Sequence, residues 1–359
     1  NIQKFYVVST DIVTLLISFN LFGAALSGIL YGWFSDNIGR RKIYLLGLSI
    51  FFLGSFLCSL STSIFILIIA RCIQGTGGGV CATVGLAIIK DIFNEKSYVK
   101  TISWMGFFLS ASPAIFSIIG SYFTLKFGWT FNFHFISVLA FIVLLLVYKF
   151  LPESLLNTNT TKISVSEFFL KYFQLFKNLR FLAYSFICVL SYAVLWLHLT
   201  IFSFLFDKIF LHEKITFGMF IFINVIVGAL GTVIHTKCVD KLDIQLLLII
   251  GIIIALVSSI LFIIIYIIQF NSIECITLTT SLYWIAIAFI FPNASALALN
   301  EFPNDQGSVA SLIISLELLF SSFLVYVGSY FYDGTIAIIA NVTFCLILII
   351  CILKKKKKN

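Results

Sequence analysis

Long stretches without a charged residue recur along the whole 359-residue chain. An α-helix needs about 20 apolar residues to cross a bilayer, whereas a membrane β-barrel shows short alternating segments. Because backbone polar groups find no water partners in lipid, we predict an all-α polytopic membrane protein. Eleven stretches are long enough to span a bilayer: 12–34, 43–62, 64–89, 101–124, 127–148, 181–206, 215–234, 244–270, 276–300, 306–332 and 334–353.

The composition agrees with this fold class and excludes most enzymes. Hydrophobic residues make up 61% of the chain and charged residues 11%, whereas a soluble domain is about one quarter charged. Little polar chain remains for a catalytic domain, and no nucleophile–base set or nucleotide loop stands out. The eight cysteines form no C-x-x-C pair, so we interpret them as small core residues. We therefore expect no enzymatic activity, no cofactor and no metal site.

Lysine and arginine are distributed unequally between the loops. If the turn at 35–42 is cytoplasmic, the loops on that side carry 18 of these residues and the opposite loops carry four. Cytoplasmic loops of membrane proteins are enriched in Lys and Arg. The C-terminus, with the basic run Lys354 to Lys358, is then cytoplasmic and lies near anionic lipid. Most of the basic residues behind the net charge of +8 therefore lie in loops on one side of the membrane, and we expect no nucleic-acid partner.

The longest polar stretch, Pro152 to Arg180, divides the predicted spans into five and six. Its second half has aromatic residues near helical spacing with lysines between them, which is typical of an amphipathic helix at a membrane interface. We therefore predict three parts of the chain. They are an N-terminal bundle at 1–150, a cytoplasmic linker with the amphipathic helix at 151–180, and a C-terminal six-helix bundle with a basic tail at 181–359.

The segment GWFSDNIGRRK after the first span combines glycines with paired charges. We expect Gly32 to end a helix, Gly39 to permit a tight turn, and Asp36 to pair with Arg40 or to face a helix N-terminus. With Arg41, these residues resemble the cytoplasmic signature of the major facilitator superfamily, G-x-x-x-D-x-x-G-R-[KR]. The resemblance implies a two-bundle fold in which the five residues form a conformational latch between the halves. A plain basic turn is the alternative.

The span 64–89 contains an arginine, Arg71, with Gln74 one turn later. An arginine inside a membrane is costly, and the pair resembles a fourth-helix motif of the same family that is associated with proton transfer. The alternative is a structural arginine bonded to backbone carbonyls. The glycine run that follows lacks the G-K-[ST] of a phosphate loop, so we predict that it allows close helix packing. The run consists of Gly75, Gly77, Gly78 and Gly79.

Other segments extend the resemblance over nearly the whole chain. In SPAIFSIIGS, Pro113 and Gly120 resemble a fifth-helix antiporter motif of the family, while Ser117 replaces its second proline. LPES at 151–154 and the region 289–317 resemble the Bcr/CflA-type, or bicyclomycin-resistance, drug:proton antiporters of bacterial inner membranes. By this resemblance the first five spans correspond to helices 2–6 of the family, and its first transmembrane helix is expected to be missing here.

Glu317 is the other charged residue well inside a span. An ionisable group in the membrane is a functional hypothesis, so we place Glu317 with Arg71 and Gln74 as proton-coupling residues. The alternative is a protonated glutamate bonded between helices. Several polar and aromatic residues are candidates for the substrate cavity, although such groups also form interhelical hydrogen bonds. They are Asn20, Tyr192, Trp196, His198, Asn224, Tyr283 and Asn293.

The resemblance implies a secondary active transporter that exports drugs or other small amphipathic molecules by proton-coupled alternating access. The expected partners are the lipid bilayer, protons and a small-molecule substrate held in a largely apolar cavity, and the chain is expected to be monomeric. Two alternatives stay open. One is a metabolite importer or exchanger on the same fold, and the other is a non-functional truncated remnant.

Overall fold

The computed structural model describes residues 2–93, 101, 112, 115–154, 165–209, 214–239, 241–269, 272–302 and 306–356. Across these residues the regular structure is helical and no strand occurs, which confirms the predicted fold class. The helices are α1 (Ile2–Tyr6), α2 (Thr10–Ile38), α3 (Arg40–Ser59), α4 (Ile64–Ile92), α5 (Ile115–Phe127), α6 (Thr130–Phe150), α7 (Val165–Lys177), α8 (Leu179–Ile209), α9 (Lys214–Val239), α10 (Ile244–Ile268), α11 (Ile273–Asn300), α12 (Gln306–Tyr330) and α13 (Ala337–Lys356).

Nine helices in the described part of the chain are long and apolar enough to cross a membrane, and each overlaps a predicted span. The two other predicted spans, 101–124 and 334–353, overlap shorter apolar helices at Ile115–Phe127 and Ala337–Ile350. Most of the first half of span 101–124 lies outside the described residues. The prediction of a polytopic helical membrane protein is therefore confirmed.

A single glycine separates α2 from α3. The φ angle of Gly39 is 118°, in a region that side chains other than glycine rarely adopt. The prediction that Gly32 ends a helix is wrong, because α2 continues through it to Ile38. A Cβ built at Gly32 would have no described atom within 4 Å. The backbone break therefore occurs at Gly39, where the chain needs a conformation that the preceding helical residues do not require.

The helices form two compact units. The first unit contains α1 to α4, α6 and the segment Ile314–Ser322 of α12. The second contains α8 to α11, α13 and the rest of α12. Like α12, two other helices are divided between the units, α5 after Tyr122 and α7 after Gln174.

In the first unit, α4 packs backbone to backbone against α2 on one side and α3 on the other. A Cβ at Gly75 of α4 would collide with the carbonyl group of Asn20 in α2, and a Cβ at Gly54 of α3 would lie 2.6 Å from Cα of Gln74 in α4. Small residues let membrane helices approach this closely. The predicted role of the α4 glycine run in close helix packing is therefore confirmed.

The second unit is built around an aromatic core. Phe202 of α8 is fully buried, and its ring centre lies 5.2 Å from that of Phe220 in α9 and 6.1 Å from that of Phe262 in α10. Buried aliphatic side chains of α8 and α13, such as Ile201 and Ile339, complete this cluster. Aromatic pairs at these distances stabilise beyond the area they bury, so the three helices are held together near this level.

The helix α7 confirms that the linker contains a helix. Leu175 is almost completely buried, whereas Phe173 and Phe176 are exposed. The next helix, α8, begins only one residue after α7 ends, because Oδ1 of Asn178 accepts two backbone N–H groups of the first turn of α8, at 2.9 and 3.0 Å. This is an N-cap, and it begins α8 directly after α7 in the sequence.

Candidate functional site

Arg71 lies about two turns into α4, and its guanidinium group is held by neutral groups. Nε donates to the carbonyl oxygen of Leu16 in α2 at 3.1 Å, and Nη1 donates to Oε1 of Gln74. The guanidinium carbon lies 5.8 Å from the centre of the Phe133 ring in α6, which is within cation–π range. No described carboxylate forms an ion pair with Arg71. The positive charge is therefore balanced by dipoles and an aromatic ring.

Gln74 extends this network into α3. Its Nε2 donates to Oγ of Ser55 at 2.8 Å, and the Ser55 hydroxyl donates to the carbonyl oxygen of Phe51 at 2.7 Å. Gln74 and Ser55 are both buried. Successive hydrogen bonds in a low-dielectric interior strengthen one another. The chain of bonds therefore fixes the guanidinium of Arg71 against three helices.

Asn20 joins the same cluster from α2. Its Nδ2 donates to the carbonyl oxygen of Arg71 at 2.9 Å. The structure thus brings together three residues that the sequence singled out separately, namely Asn20, Arg71 and Gln74. The hydrogen bond of Arg71 to a backbone carbonyl is the contact expected of a structural arginine. Its location inside a membrane span agrees equally with a role in proton transfer.

The α12 segment of the first unit packs on α2 through small polar residues. The hydroxyl of Ser322 donates to the carbonyl oxygen of Ser18 at 2.8 Å, and Oγ of Ser315 lies 3.3 Å from a Cβ built at Gly28. Glu317 is only 7% exposed. At 100° per residue it lies about 150° around α12 from these two serines. Its side chain therefore leaves the helix on the side away from α2.

Arg71 and the α12 segment are attached to the same stretch of α2. The carbonyl oxygen of Leu16 accepts from Arg71, and the carbonyl oxygen of Ser18, two residues later, accepts from Ser322. This short stretch thus accepts a hydrogen bond from the guanidinium of Arg71 and a hydrogen bond from the helix that holds Glu317.

The signature segment is held by contacts with other helix ends. Arg40 forms a salt bridge with Asp36, which confirms the predicted pairing. Its Nε also donates to Oδ2 of Asp91, at the end of α4, at 3.1 Å. The same carboxylate oxygen accepts from the hydroxyl of Ser154 at 3.3 Å. The signature turn is therefore joined to the ends of both α4 and α6.

Glu153 occupies the N-terminus of α3. Its Oε1 accepts the backbone N–H groups of Arg40 at 2.9 Å and Arg41 at 3.4 Å, where the helix dipole favours a negative charge. Asp36, which we considered for such a position, pairs with the Arg40 side chain instead. A Cβ at Gly39 would lie 2.7 Å from the Glu153 carboxylate. Glu153 lies in the LPES segment and was missed as a site residue, because nothing local links it to a turn that far back in the chain.

His198 and Tyr283 lie in the packed interior of the second unit. Nε2 of His198 lies 2.9 Å from Oγ1 of Thr343 in α13, and the hydroxyl of Tyr283 in α11 donates to the carbonyl oxygen of Ser191 in α8 at 2.8 Å. The two rings are 4.9 Å apart. These contacts are interhelical hydrogen bonds, the alternative that the sequence left open.

Asn224 and Asn293 also connect helices. Oδ1 of Asn224 in α9 accepts from the hydroxyl of Ser281 in α11 at 3.0 Å. Nδ2 of Asn293 in α11 lies 2.9 Å from Nε2 of His235 in α9. All four side chains are buried, so both asparagines hold α9 and α11 together at two different levels.

Tyr192 and Trp196 stand apart from these buried groups. They are one turn apart on α8 and both are half-buried, so they share one face of the helix. His198 lies about 200° around α8 from Trp196. The three residues therefore do not line a common surface, and the pair Tyr192 and Trp196 is the part of this set that faces a more open side.

Of the fifth-helix motif, Pro113 lies outside the described residues, whereas Gly120 lies in α5. The hydroxyl of Ser117, which stands where the family has its second proline, donates to the carbonyl oxygen of Gly218 in α9 at 3.4 Å. Within the residues that the structure describes, no group of three or more His, Cys, Asp or Glu side chains is placed to hold a metal ion.

Sequence comparisons identify the family. The sequence model described as "Major Facilitator Superfamily" matches residues 2–325. The bicyclomycin resistance protein homolog of Haemophilus influenzae is 24% identical over 306 residues, which cover 82% of this chain and 74% of that protein. The chloramphenicol resistance protein CraA of Acinetobacter baumannii is 27% identical over 312 residues, which cover 86% of this chain and 74% of that protein.

Solved structures show the same fold. A partially occluded inward open structure of the xylose transporter XylE from E. coli superposes with a TM-score of 0.72 at 14% identity, covering 97% of this chain and 87% of that one. A bacterial homologue of the human lysosomal transporter Spinster gives a TM-score of 0.72 at 14% identity, covering 99% and 90%. With the family match over residues 2–325, the helical fold assigns this chain to the Major Facilitator Superfamily of membrane transporters.

Proposed function

We propose that this transporter exports drugs or other small amphipathic molecules in exchange for protons. Two bundles of helices open alternately to the two sides of the membrane in such a cycle. The names of two relatives, a bicyclomycin resistance protein homolog and a chloramphenicol resistance protein, support drug export as the direction. The coupling to protons rests on the charged residues of the first unit.

One observation carries the proposal. A buried carboxylate, Glu317, and a half-buried guanidinium, Arg71, are held by helices that hydrogen-bond to the same stretch of α2. Charged groups at membrane depth are costly and mark ion or proton pathways. In the proposed cycle Glu317 binds a proton from one side and releases it to the other. Arg71, which Gln74 holds in place, contributes the positive charge of this site from the other side of α2.

Buried hydroxyl groups near the contact between α2 and α12 support a path for the proton. Oγ of Ser18 and Oγ of Ser321 are buried and have no hydrogen-bond partner among the described residues. Buried polar groups without a protein partner typically bind ordered water. Water at Ser18 and Ser321 would connect the helix that carries Glu317 with the stretch of α2 that contacts Arg71.

In this proposal the signature turn acts as a conformational latch. Gly32, Asp36, Gly39, Arg40 and Arg41 belong to it, and the bond of Arg40 to Asp91 ties it to α4. The loops rich in lysine and arginine face the cytoplasm of a bacterial cell, as the charge asymmetry favours. The protein then lies in the inner membrane with its C-terminus in the cytoplasm.

The first test replaces the proposed proton-binding group by Glu317→Gln. Glutamine keeps the shape and the hydrogen-bonding capacity of the side chain but does not titrate. We expect drug efflux driven by an imposed pH gradient, measured in inverted membrane vesicles, to fall to the level of vesicles without the protein. Exchange of labelled for unlabelled drug without a gradient should persist.

The matched control is Glu301→Gln, at the end of α11 and outside the apolar spans. It should leave gradient-driven efflux unchanged. Gradient-driven efflux of Glu317→Gln that equals the wild type, with the same dependence on pH, would exclude Glu317 from proton coupling. Absence of any drug transport by the wild-type protein would overturn the export function itself.

A further inference from the structure

A groove lies between α9 and α11 on the surface of the second unit. Its volume is about 550 Å³, which is within the range of ligand-binding pockets. Its walls are mostly apolar, and one acidic side chain lies at one end. The principal lining residues are Met219, Ile223 and Val227 of α9, and Glu274, Leu278 and Leu282 of α11.

The packing of the two helices explains where the groove lies. Near their midpoints the two helices touch closely. Gly228 of α9 faces the side chain of Trp284 in α11, and a Cβ built at Gly231 would lie 3.1 Å from Cα of Ile285. Nearer the N-terminus of α9, the residues that line the groove have larger side chains, namely Met219, Ile223 and Val227. The two helices therefore separate towards their N-terminal ends, and the space between them stays open.

The groove is lined by exposed apolar side chains of membrane-spanning helices. Met219, Ile223 and Leu278, which line it, are 56%, 45% and 65% exposed. These residues lie in apolar helices long enough to cross a membrane, so their exposed faces are suited to acyl chains. An apolar chain of a lipid is therefore a suitable occupant of the groove.

The polar groups along the groove are already used within the protein. The hydroxyl of Ser281 donates to Asn224, and Nδ2 of Asn224 donates to the carbonyl oxygen of Phe220 at 2.7 Å. The hydroxyl of Thr277 donates to the carbonyl oxygen of its own helix at Ile273, at 2.6 Å. The inner part of the groove thus offers an apolar surface, and it does not demand a polar ligand.

Glu274 is the exception. It lies in the first turn of α11, at the end of the span, and it is exposed. None of the ion pairs within the described residues involves it. At 1.5 Å per residue, the distance along α11 from Glu274 to Leu282 is about 12 Å. The groove therefore has a negative charge at the membrane surface and an apolar channel leading inward from it.

We propose that this groove binds a phospholipid whose headgroup carries a primary ammonium, with the ammonium on Glu274 and an acyl chain between α9 and α11. Charge complementarity selects the headgroup, because a carboxylate attracts an ammonium and repels an anionic headgroup. The apolar walls select the chain. The site belongs to the leaflet opposite the basic loops, and it does not depend on what the transporter carries or in which direction.

The experiment measures lipid binding by the intact protein. Purified protein is delipidated, exchanged into detergent with phosphatidylethanolamine or phosphatidylglycerol, and examined by native mass spectrometry. The wild type should retain phosphatidylethanolamine in preference to phosphatidylglycerol. Glu274→Gln should reduce the bound fraction of phosphatidylethanolamine by about three- to fivefold, as expected for one ion pair at an interface, and leave phosphatidylglycerol binding unchanged.

Two further variants test the apolar part of the groove. Leu278→Trp fills it and should reduce the binding of both lipids, whereas Ile253→Trp, on the exposed face of α10, should reduce neither. Should Leu278→Trp fail to give a monodisperse protein, Thr277→Leu, which narrows the groove by a smaller change, takes its place.

Wild-type binding of phosphatidylethanolamine by Glu274→Gln would overturn the proposal, as would wild-type binding by the groove-filling variant. An equal loss of both lipids in Glu274→Gln would also contradict it, because the charge would then not select the headgroup.

Discussion

At the scale of single residues, neighbouring glycines of α4 have very different surroundings. A Cβ at Gly75 would lie 2.7 Å from the carbonyl carbon of Asn20 and still closer to its oxygen, whereas a Cβ at Gly78 would be 3.6 Å from the nearest atom, in the Phe51 ring. The first position has no room for a methyl group, and the second has ordinary van der Waals space. A comparison of alanine at the two positions therefore separates the cost of the collision with α2 from the general effect of replacing glycine by alanine.

We predict that Gly75→Ala lowers the thermal unfolding midpoint of the purified protein in detergent. Overpacking of a close helix contact costs about 1–3 kcal/mol, and here the backbone of α2 must move to relieve it. Gly78→Ala should keep or raise the midpoint, because alanine is a better helix former than glycine by up to about 1 kcal/mol. Equal midpoints for the two variants would show that α2 and α4 do not touch at Gly75.

A second prediction concerns the acidic residue at the start of α3. Glu153→Ala removes both the acceptor of two backbone N–H groups and a charge near the positive end of the helix dipole. The loss should be about 1 kcal/mol and should appear as a lower unfolding midpoint. Glu153→Gln keeps an acceptor and should lose less. Glu301→Ala is the control, and an unfolding midpoint for Glu153→Ala no lower than that of this control would refute the cap.

Some residue contacts were predictable from the sequence and others were not. Asp36 and Arg40 are four residues apart, on either side of the turn at Gly39, so their pairing follows from short separation along the chain. Arg71 and Gln74 are also within one turn. The partners Asp91 and Glu153 come from helices that end far along the chain, and nothing in the spacing shows that those ends meet. His198 was ambiguous, because a polar residue in an apolar span looks the same whether it faces a cavity or another helix.

At the scale of helices, α7 is an example in which pattern and structure agree. The aromatic residues of the linker predicted an amphipathic helix, and the structure has Phe173 and Phe176 exposed while Leu175 is buried. Gln174 is also exposed but lies on a different side of the helix, about 100° from Phe173. A helix at the membrane interface should insert the side with Phe173 and Phe176 into the lipid and keep Gln174 outside it.

We predict that tryptophan at position 173 contacts acyl chains. In vesicles that contain brominated lipids, Phe173→Trp should show more fluorescence quenching than the wild type, because bromine atoms near the ring quench its emission. Gln174→Trp is the matched control and should show less additional quenching. Stronger quenching of Gln174→Trp than of Phe173→Trp would mean that α7 presents its polar side to the membrane.

Helix existence was more predictable than helix ends. The spans are long apolar runs, so their helical state follows from the need to satisfy backbone groups in lipid. The end of α2 did not follow, because both Gly32 and Gly39 are plausible breaks, and only the φ angle of Gly39 decides between them. The short helix α1 was not predicted. It is too short for a periodic signal, and it is held by tertiary contacts such as the hydrogen bond from the Tyr6 hydroxyl to the carbonyl oxygen of Ser61 at 2.9 Å.

At the scale of the whole molecule, the charge asymmetry of the loops predicts an orientation. We expect cysteines introduced at Lys42 and Lys354, in a background without the native cysteines, to resist a membrane-impermeant maleimide added to intact cells. A cysteine at Lys126 should react. Labelling of position 42 or 354 from outside, with protection of position 126, would reverse the orientation.

The organisation into units was only partly readable from the sequence. The polar linker indicated where the chain passes from one group of helices to the next. That residues 314–322 of α12 pack with helices from the start of the chain was not predicted. The contact depends on single hydroxyl groups, such as that of Ser322 on the carbonyl oxygen of Ser18, and serine is common in membrane helices for many reasons.

The close packing of α4 between α2 and α3 has a mechanical consequence. Helices whose main chains touch at several turns do not slide past one another without collision. We expect these three helices to move as one rigid group during a transport cycle. Bending or sliding in the first unit should occur where longer side chains separate the helices, outside this group.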